Sequence, residues 1–131
     1  MNIIDLSEHV NDRTDPRGWM FNFIQSDLID AQDVKNIHLG TIRPGEIRGN
    51  HCHKNQEEWI FVFGGKGEFV WKEDGKTKSR IVNEAEKILF NIKPSITHSV
   101  KNLGIKDIYL CAIASAEYNK DSNDAIKDII T

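Results

Sequence analysis

The residues with the clearest chemical potential are His51 and His53, separated by one residue, with Glu58 five residues further on and His98 well downstream. On a β-strand, side chains i and i+2 point to the same face, so a His-x-His pair sends two imidazoles into one space. Neutral imidazole and carboxylate are ligands that suit zinc, iron, nickel, copper or manganese. The space that the paired histidines share can therefore hold a divalent metal ion.

Short strands bounded by turn signals must position these side chains. Turn pairs such as Pro44-Gly45 and Gly64-Gly65 separate the apolar or alternating segments. We predict strands in six places: residues 19–24, 36–43, 58–63, 67–72, 87–92 and 107–114.

The C-terminus carries the one clear helix signal in the sequence. Ser122 or Asn123 can cap a helix there, and an apolar stripe follows at Ala125, Ile126, Ile129 and Ile130. Many short strands with one short terminal helix predict an antiparallel β-sandwich or barrel. We expect residues 1–131 to form a single domain, with 1–18 and 116–131 as appendages to its barrel.

Composition excludes several classes of protein. The chain has 131 residues, 39% of them hydrophobic, and a net charge of -3 with both signs mixed, so we expect no nucleic-acid partner. No apolar run is long enough to cross a bilayer and no signal sequence opens the chain, so we expect no membrane partner and a cytoplasmic location. Two cysteines, Cys52 and Cys111, are too few for a disulfide scaffold.

Two motifs carry a family resemblance. They read Gly45-x5-His51-x-His53-x4-Glu58-x6-Gly65 and Ile92-Lys-Pro94-Ser-Ile-Thr-His98-Ser-Val-Lys-Asn102. Together they resemble the paired signature motifs of the cupin superfamily, over roughly residues 36–114. The resemblance implies an all-β double-stranded β-helix, or jelly roll, to which we add the short C-terminal helix. It also implies a divalent metal (Zn, Fe, Ni or Mn) in the barrel mouth, with His51, His53, Glu58 and His98 as ligands. Ser95 departs from the family, because many members have glycine there.

Glu57 is the alternative carboxylate ligand. Adjacent residues face opposite ways on a strand, so only one of Glu57 and Glu58 can join the histidines. We favour Glu58, which carries the motif spacing to Gly65. Glu57 would then share its face with three aromatic residues, Trp59, Phe61 and Phe63. Because an exposed aromatic face would be adhesive, we expect it to pack between sheets or against a second subunit, and we predict a homodimer.

Narrower resemblances point to nucleotide-sugar enzymes. Asp15-Pro-Arg17-Gly18 is similar to a segment of dTDP-4-dehydrorhamnose 3,5-epimerases. The run from Arg48 to Lys54 is similar to a segment of dTDP-sugar 3,4-ketoisomerases, and the longer run from Thr41 to His53 to the cupin domain of capsular-polysaccharide reductase/epimerase proteins. These resemblances imply isomerisation or epimerisation of a nucleotide-activated keto sugar, a dTDP- or UDP-sugar, in polysaccharide biosynthesis.

Such a reaction needs a base, an acid and a phosphate-binding group. By resemblance to the epimerases, His51 is the candidate base; if it binds metal instead, His38 and Lys54 are the substitutes. Arg48 and Arg17 are candidates for the nucleotide diphosphate, since guanidinium pairs with phosphate oxygens. The related enzymes commonly use a tyrosine acid, and neither Tyr109 nor Tyr118 lies in a matching segment.

Structural alternatives exist for three of these residues. Asp-Pro-Arg-Gly is a good turn, so Arg17 has a structural interpretation, Arg48 could form a salt bridge at a strand edge, and His38 could belong to the core. Two other functions also stay open. One is a metal-dependent dioxygenase or another small-molecule cupin enzyme, which the four-ligand set favours. The other is a non-catalytic sugar-binding cupin, which the unmatched tyrosine favours.

Overall fold

A computed structural model describes residues 1–121 and 124–131, which form almost entirely antiparallel β-structure. The strands are β1 Asn2–Asp5, β2 Asn36–Ile42, β3 Ile47–His53, β4 Glu58–Phe63, β5 Gly67–Glu73, β6 Lys76–Val82, β7 Ile88–Ile92, β8 Thr97–Asn102, β9 Ile108–Ala114 and β10 Ala125–Lys127. Two short 3-10 segments, Leu6–His9 and Ala31–Asp33, are the helical turns of the described chain. None of its helices is both long enough and apolar enough to cross a membrane.

The strands form two five-stranded sheets. The first sheet has the order β1-β7-β4-β9-β2, and the second has the order β10-β3-β8-β5-β6. Their facing sides enclose an apolar interior in which Phe69 stacks on Phe90, with ring centroids 3.9 Å apart. This architecture confirms the predicted all-β jelly roll.

Five of the six predicted strands are present as β2, β4, β5, β7 and β9. The remaining prediction, a strand over residues 19–24, was wrong, because residues 19–23 form no regular strand. Their aromatic side chains pack instead on the outer side of the first sheet, where Phe21 meets Phe61 edge to face at 5.4 Å. We call residues 19–34 the cover segment.

The cover segment buries the aromatic side of β4. Trp59 and Phe61 are 5% and 4% exposed, and they pack with Phe21 and Phe23 rather than in the space between the sheets. The chain therefore buries this face with its own N-terminal region, and the face does not require a second subunit. The homodimer stays a prediction.

The predicted C-terminal helix was wrong. Ala125–Lys127 forms strand β10, which pairs with His51–His53 of β3, and residues 128–131 have no regular structure. An isolated helix of this length is marginal in water, whereas the open edge of β3 offers backbone hydrogen bonds. The proposed caps, Ser122 and Asn123, lie outside the described residues. The chain ends are therefore not appendages, since β1 and β10 each complete an edge of a sheet.

Candidate metal centre and substrate cavity

Three strands from both sheets bring the candidate ligands together. His51 and His53 lie at the end of β3, and His98 on β8 is the register partner of His51. Glu58 is the first residue of β4 in the opposite sheet. The site therefore lies where the two sheets approach each other at one end of the barrel.

A β-bulge between Gly49 and His51 sets the direction of the first histidine. Gly49 has φ +101°, and a Cβ there would lie 2.7 Å from the carbonyl oxygen of His98, so only glycine fits. Asn50 follows with φ 57°. The bulge lets β3 approach β8 closely while both imidazoles of β3 enter the barrel.

Ser95, which stands where many family members have glycine, has a positive φ of 69°. Its backbone N–H donates to the carbonyl oxygen of His53 at 2.7 Å. The turn before β8 is therefore tied directly to the end of β3, and this hydrogen bond offsets part of the conformational cost of serine.

The four predicted ligand side chains converge. One ligand atom from each of His51, His53, Glu58 and His98 can be chosen so that all four lie within 4.8 Å of one another. Glu58 and His98 are buried at 4% and 3% exposure, and the other two are half-buried. Glu57 is not the carboxylate that joins the histidines, because it accepts hydrogen bonds from Lys93 at 2.6 Å and from Asn91 at 2.9 Å outside this cluster.

Hydrogen bonds on the far side of two rings fix which nitrogens face the cluster. His53 Nδ1 lies 2.8 Å from Asp124 Oδ1, and His98 Nδ1 lies 3.0 Å from the Ile96 carbonyl oxygen. Both partners accept only, so both Nδ1 atoms carry hydrogen. The Nε2 atoms then point at Glu58 Oε1, at 3.1 Å from His53 and 3.4 Å from His98.

The protonation states suit metal binding. Burial, followed by the neighbouring histidines His98 and His53, lowers the pKa of His51 to about 4, and burial also lowers the pKa of His98. Burial raises the pKa of Glu58, but the hydrogen bond from His53 and the nearby imidazoles outweigh it, so this pKa is lowered. At neutral pH the cluster thus presents a carboxylate and two neutral imidazoles.

His53 responds in the opposite direction. Burial lowers its pKa, but Glu58 and Asp124 on either side of the ring outweigh burial and raise it. Without a cation, lone pairs of Nε2 and Oε1 would face each other across 3.1 Å. Either a proton or a metal ion relieves this repulsion, so the donor set fits a divalent metal that displaces the proton.

Two adjoining cavities open onto the cluster. The inner cavity, of about 250 Å³, enters the barrel between β2 and β3, and His38, Arg48, His51, Glu58 and His98 are among the residues that line it. The outer cavity, of about 660 Å³, shares His38, His51 and Glu58 with the inner one and is also lined by Tyr118 and Asp124. Together the two cavities form a space with polar residues at its base, and their combined volume lies within the usual range for small-molecule sites.

The other sequence candidates divide into two groups. His38 lines both cavities, and Arg48 lines the inner one while its Nε donates to the Thr41 carbonyl oxygen at 2.7 Å. Arg17 is paired with Asp15 at 2.8 Å in an exposed turn, and Lys54 is exposed; neither lines these cavities. The geometry therefore brings His38 and Arg48 to the site, and the turn interpretation of Arg17 fits its position.

Sequence reasoning missed Asp124 at the site, and it named Tyr118 without placing it there. Tyr118 lines the outer cavity beside His38 and His51, whereas Tyr109 lies on the outer side of the first sheet against Phe63. No local motif marks either residue, because both reach the site through the return of the C-terminal chain to β3. The formation of β10 is the feature that could have indicated them.

A sequence family described as Polysaccharide biosynthesis C-terminal domain matches residues 13–126, a wider region than the predicted barrel core of 36–114. Among curated proteins, none matches the chain.

Solved structures with the same fold include three sugar-related proteins. A 3,4-ketoisomerase from Helicobacter canadensis has a TM-score of 0.78 and 24% identity, covering 97% of this chain and 90% of its own. A mutant of the QdtA 3,4-ketoisomerase from Thermoanaerobacterium thermosaccharolyticum, solved with TDP-4-keto-6-deoxyglucose, has a TM-score of 0.74 and 20% identity over 97% and 86%. The capsular polysaccharide assembling protein CapF from Staphylococcus aureus has a TM-score of 0.69 and 21% identity, over 75% of this chain but only 27% of CapF.

Proposed function

The chain belongs to the polysaccharide biosynthesis C-terminal domain family, and from that premise we propose that it is a metal-binding cupin that isomerises or epimerises a nucleotide-activated keto sugar. The observation that carries the proposal is the convergence of three imidazoles and Glu58 at the floor of a cavity that also presents His38 and Tyr118. The fold shared with a 3,4-ketoisomerase of nearly equal length supports it.

We assign the metal to His51, His53, Glu58 and His98, whose ligand atoms already lie close together. A bound divalent ion would polarise the sugar carbonyl and stabilise negative charge on its oxygen. Lys54 has no part in this arrangement. The identity of the ion follows from the ligands only as a class: zinc, iron, nickel or manganese.

His38 is the proposed base. If His51 holds the metal, its lone pair would be occupied, and His38 is then the remaining histidine at the cavity, on strand β2 next to the site. It removes the C–H proton beside the keto group, and the C–H electron pair becomes the enolate. Tyr118 is the proposed acid. A proton returned to the opposite face of the same carbon completes epimerisation. Ketoisomerisation instead requires the neighbouring hydroxyl proton to move to the enolate oxygen and a proton to add to the former carbonyl carbon, which leaves the carbonyl on the neighbouring carbon.

Arg48 is the proposed phosphate-binding residue. Its Nε donates to the Thr41 carbonyl oxygen, which holds the guanidinium at the rim of the inner cavity. The terminal N–H groups of a guanidinium match two oxygens of a diphosphate. TDP-4-keto-6-deoxyglucose, which is bound in the QdtA mutant structure, is the first substrate to test, followed by its UDP counterpart.

Solvent-deuterium exchange tests this function. Zinc-loaded protein is incubated with each 4-keto sugar nucleotide in D2O, and carbon-bound deuterium is measured by mass spectrometry and NMR. We expect incorporation with at least one sugar, and a loss of about 100-fold or more in His38→Asn. His38→Asn should keep its zinc, whereas His51→Asn should lose it. Binding without exchange would contradict catalysis and favour a sugar-binding cupin.

A second candidate, a metal-dependent oxygenase, is favoured by one observation. Three histidines and one carboxylate exceed what acid–base chemistry alone requires, and such sets hold redox-active iron. Metal analysis of purified protein separates the two candidates, because zinc supports no redox chemistry. Iron together with substrate-dependent oxygen consumption would favour the oxygenase.

A further inference from the structure

Asp124 lies behind His53, on the side of the ring opposite to the metal cluster. Its Oδ1 is 2.8 Å from His53 Nδ1, and its Oδ2 accepts from the backbone N–H of Asn55 at 3.0 Å. The carboxylate is thus itself held by two hydrogen bonds in a defined orientation. It is not one of the converging ligand groups, so any effect on the metal passes through the His53 ring.

We propose that Asp124 is a positioning residue that fixes the tautomer and orientation of His53 and thereby tightens metal binding. A carboxylate only accepts, so it selects the neutral form with hydrogen on Nδ1 and the lone pair on Nε2. It also makes the imidazole a stronger donor to a cation, and loss of such an outer partner typically costs 10–100-fold in metal affinity. The inference rests on the metal site of the proposed function.

The chain that carries Asp124 is fastened close to other candidate ligands. We call residues 124–131 the C-terminal clamp. The Asp128 N–H donates to the Asn50 carbonyl oxygen at 2.8 Å, and the Ile130 N–H donates to Asn50 Oδ1 at 2.9 Å. Asn50 immediately precedes His51, so these bonds tie the clamp to the bulge that aims this ligand.

The clamp also reaches both neighbours of His98. Thr97 donates its hydroxyl to Asp128 Oδ2 at 2.7 Å, and the hydroxyls of Ser99 and Thr131 lie 2.8 Å apart. Strand β10 pairs along β3 at the same time. Asp124 therefore approaches His53 from a segment with several independent attachments, which gives the carboxylate the rigidity that a positioning role requires.

Zinc affinity measured by chelator competition tests the proposal with the full chain. We expect Asp124→Ala to bind zinc 10–100-fold more weakly than wild type, and Asp124→Asn, which keeps one acceptor oxygen, to fall between them. Asp128→Ala is the matched control, because it removes a clamp carboxylate that contacts Thr97 and Lys72 but not His53. We expect it to stay within about twofold of wild type, well below the 10–100-fold loss expected for Asp124→Ala. An equal loss in the control would overturn the assignment to Asp124.

A second measurement does not need the metal. Nitrogen-15 NMR of metal-free protein at alkaline pH reports the His53 tautomer, with unfolding curves confirming that each variant is folded. In metal-free protein the Glu58 carboxylate, 3.1 Å from Nε2, competes for the same hydrogen, so we expect the form with hydrogen on Nδ1 to dominate in wild type and the population to shift toward hydrogen on Nε2 in Asp124→Ala. An unchanged tautomer together with unchanged zinc affinity would overturn the proposal. A wild-type protein that binds no metal would instead contradict the metal site, and the tautomer would still test the positioning of His53.

Discussion

Strand β4 belongs to two regions of the molecule that are held together differently. On one side, Trp59 and Phe61 pack with the rings of the cover segment. On the other side, Glu58 enters the candidate metal centre, where its Oε1 lies between two imidazole nitrogens. Neighbouring residues along one short strand therefore serve an apolar cluster and a polar one.

The two regions differ in the interactions that stabilise them. The outer aromatic cluster gains from many small dispersion contacts and from burial, so no single atom decides its geometry. The polar cluster depends on a few lone pairs, and removal of one leaves a buried group without a partner. We therefore expect changes on the outer side to affect stability and changes on the inner side to affect the site.

The largest effect should come from Phe61→Ala. Phe61 is 4% exposed and contacts the rings of Trp19, Phe21 and Phe23, so truncation should lower the free energy of unfolding by about 3–5 kcal/mol. Denaturant unfolding of metal-free protein measures it. Phe63→Ala is the matched control; Phe63 is 38% exposed and should cost clearly less. Equal losses, or weaker zinc binding by folded Phe61→Ala, would break the separation of the two regions.

Glu58→Gln should produce the next largest effect, which is a loss of metal affinity. The substitution keeps the shape but removes the negative charge between the imidazoles, so we expect zinc affinity to fall by about 100-fold, or ~2.8 kcal/mol. Chelator competition measures it. Glu57→Gln is the control from the adjacent position, where the carboxylate contacts Lys93 and Asn91 instead, and its affinity should match that of wild type. A loss confined to Glu57→Gln would exchange the roles of the two carboxylates.

Local patterns predicted five of the ten strands of the described chain. Turn pairs bounded β2, β4 and β5, and alternation placed Glu58 and the aromatic residues on opposite sides of β4. Strand geometry likewise placed His51 and His53 on one face, and the family resemblance added Glu58 and His98 to the four side chains that converge. Each of these features depends on residues that are near one another in the sequence or on a recurrent motif.

The chain ends were not predictable in this way. Asp124 and His53 are 71 residues apart, and their contact exists because β10 occupies the edge of β3. The apolar residues near the C-terminus fit a helical period as well as a strand, and only the availability of an open edge decides between them. The same holds for the cover segment. Its aromatic residues have the pattern of a strand, yet among the described residues they pair with no sheet edge. They pack on the outer side of β4 instead.

The smallest expected effect concerns the ion pair between Lys93 and Glu57, which can be compared with the buried polar cluster. Lys93 donates to Glu57 at 2.6 Å, but Lys93 is 53% exposed, so we expect Lys93→Met to cost less than about 1 kcal/mol at neutral pH. Burial raises the pKa of Glu57, but the bonds from Lys93 and Asn91 outweigh it and lower that pKa. The contribution is therefore present above the usual glutamate value of 4.5 and is lost as pH falls through the lower folded value. Unfolding of both proteins across that range should show the curves converging in acid. A difference that persisted below the folded pKa would mean that Lys93 acts through packing of its aliphatic stem, as the residues of the apolar region do, and not through its charge.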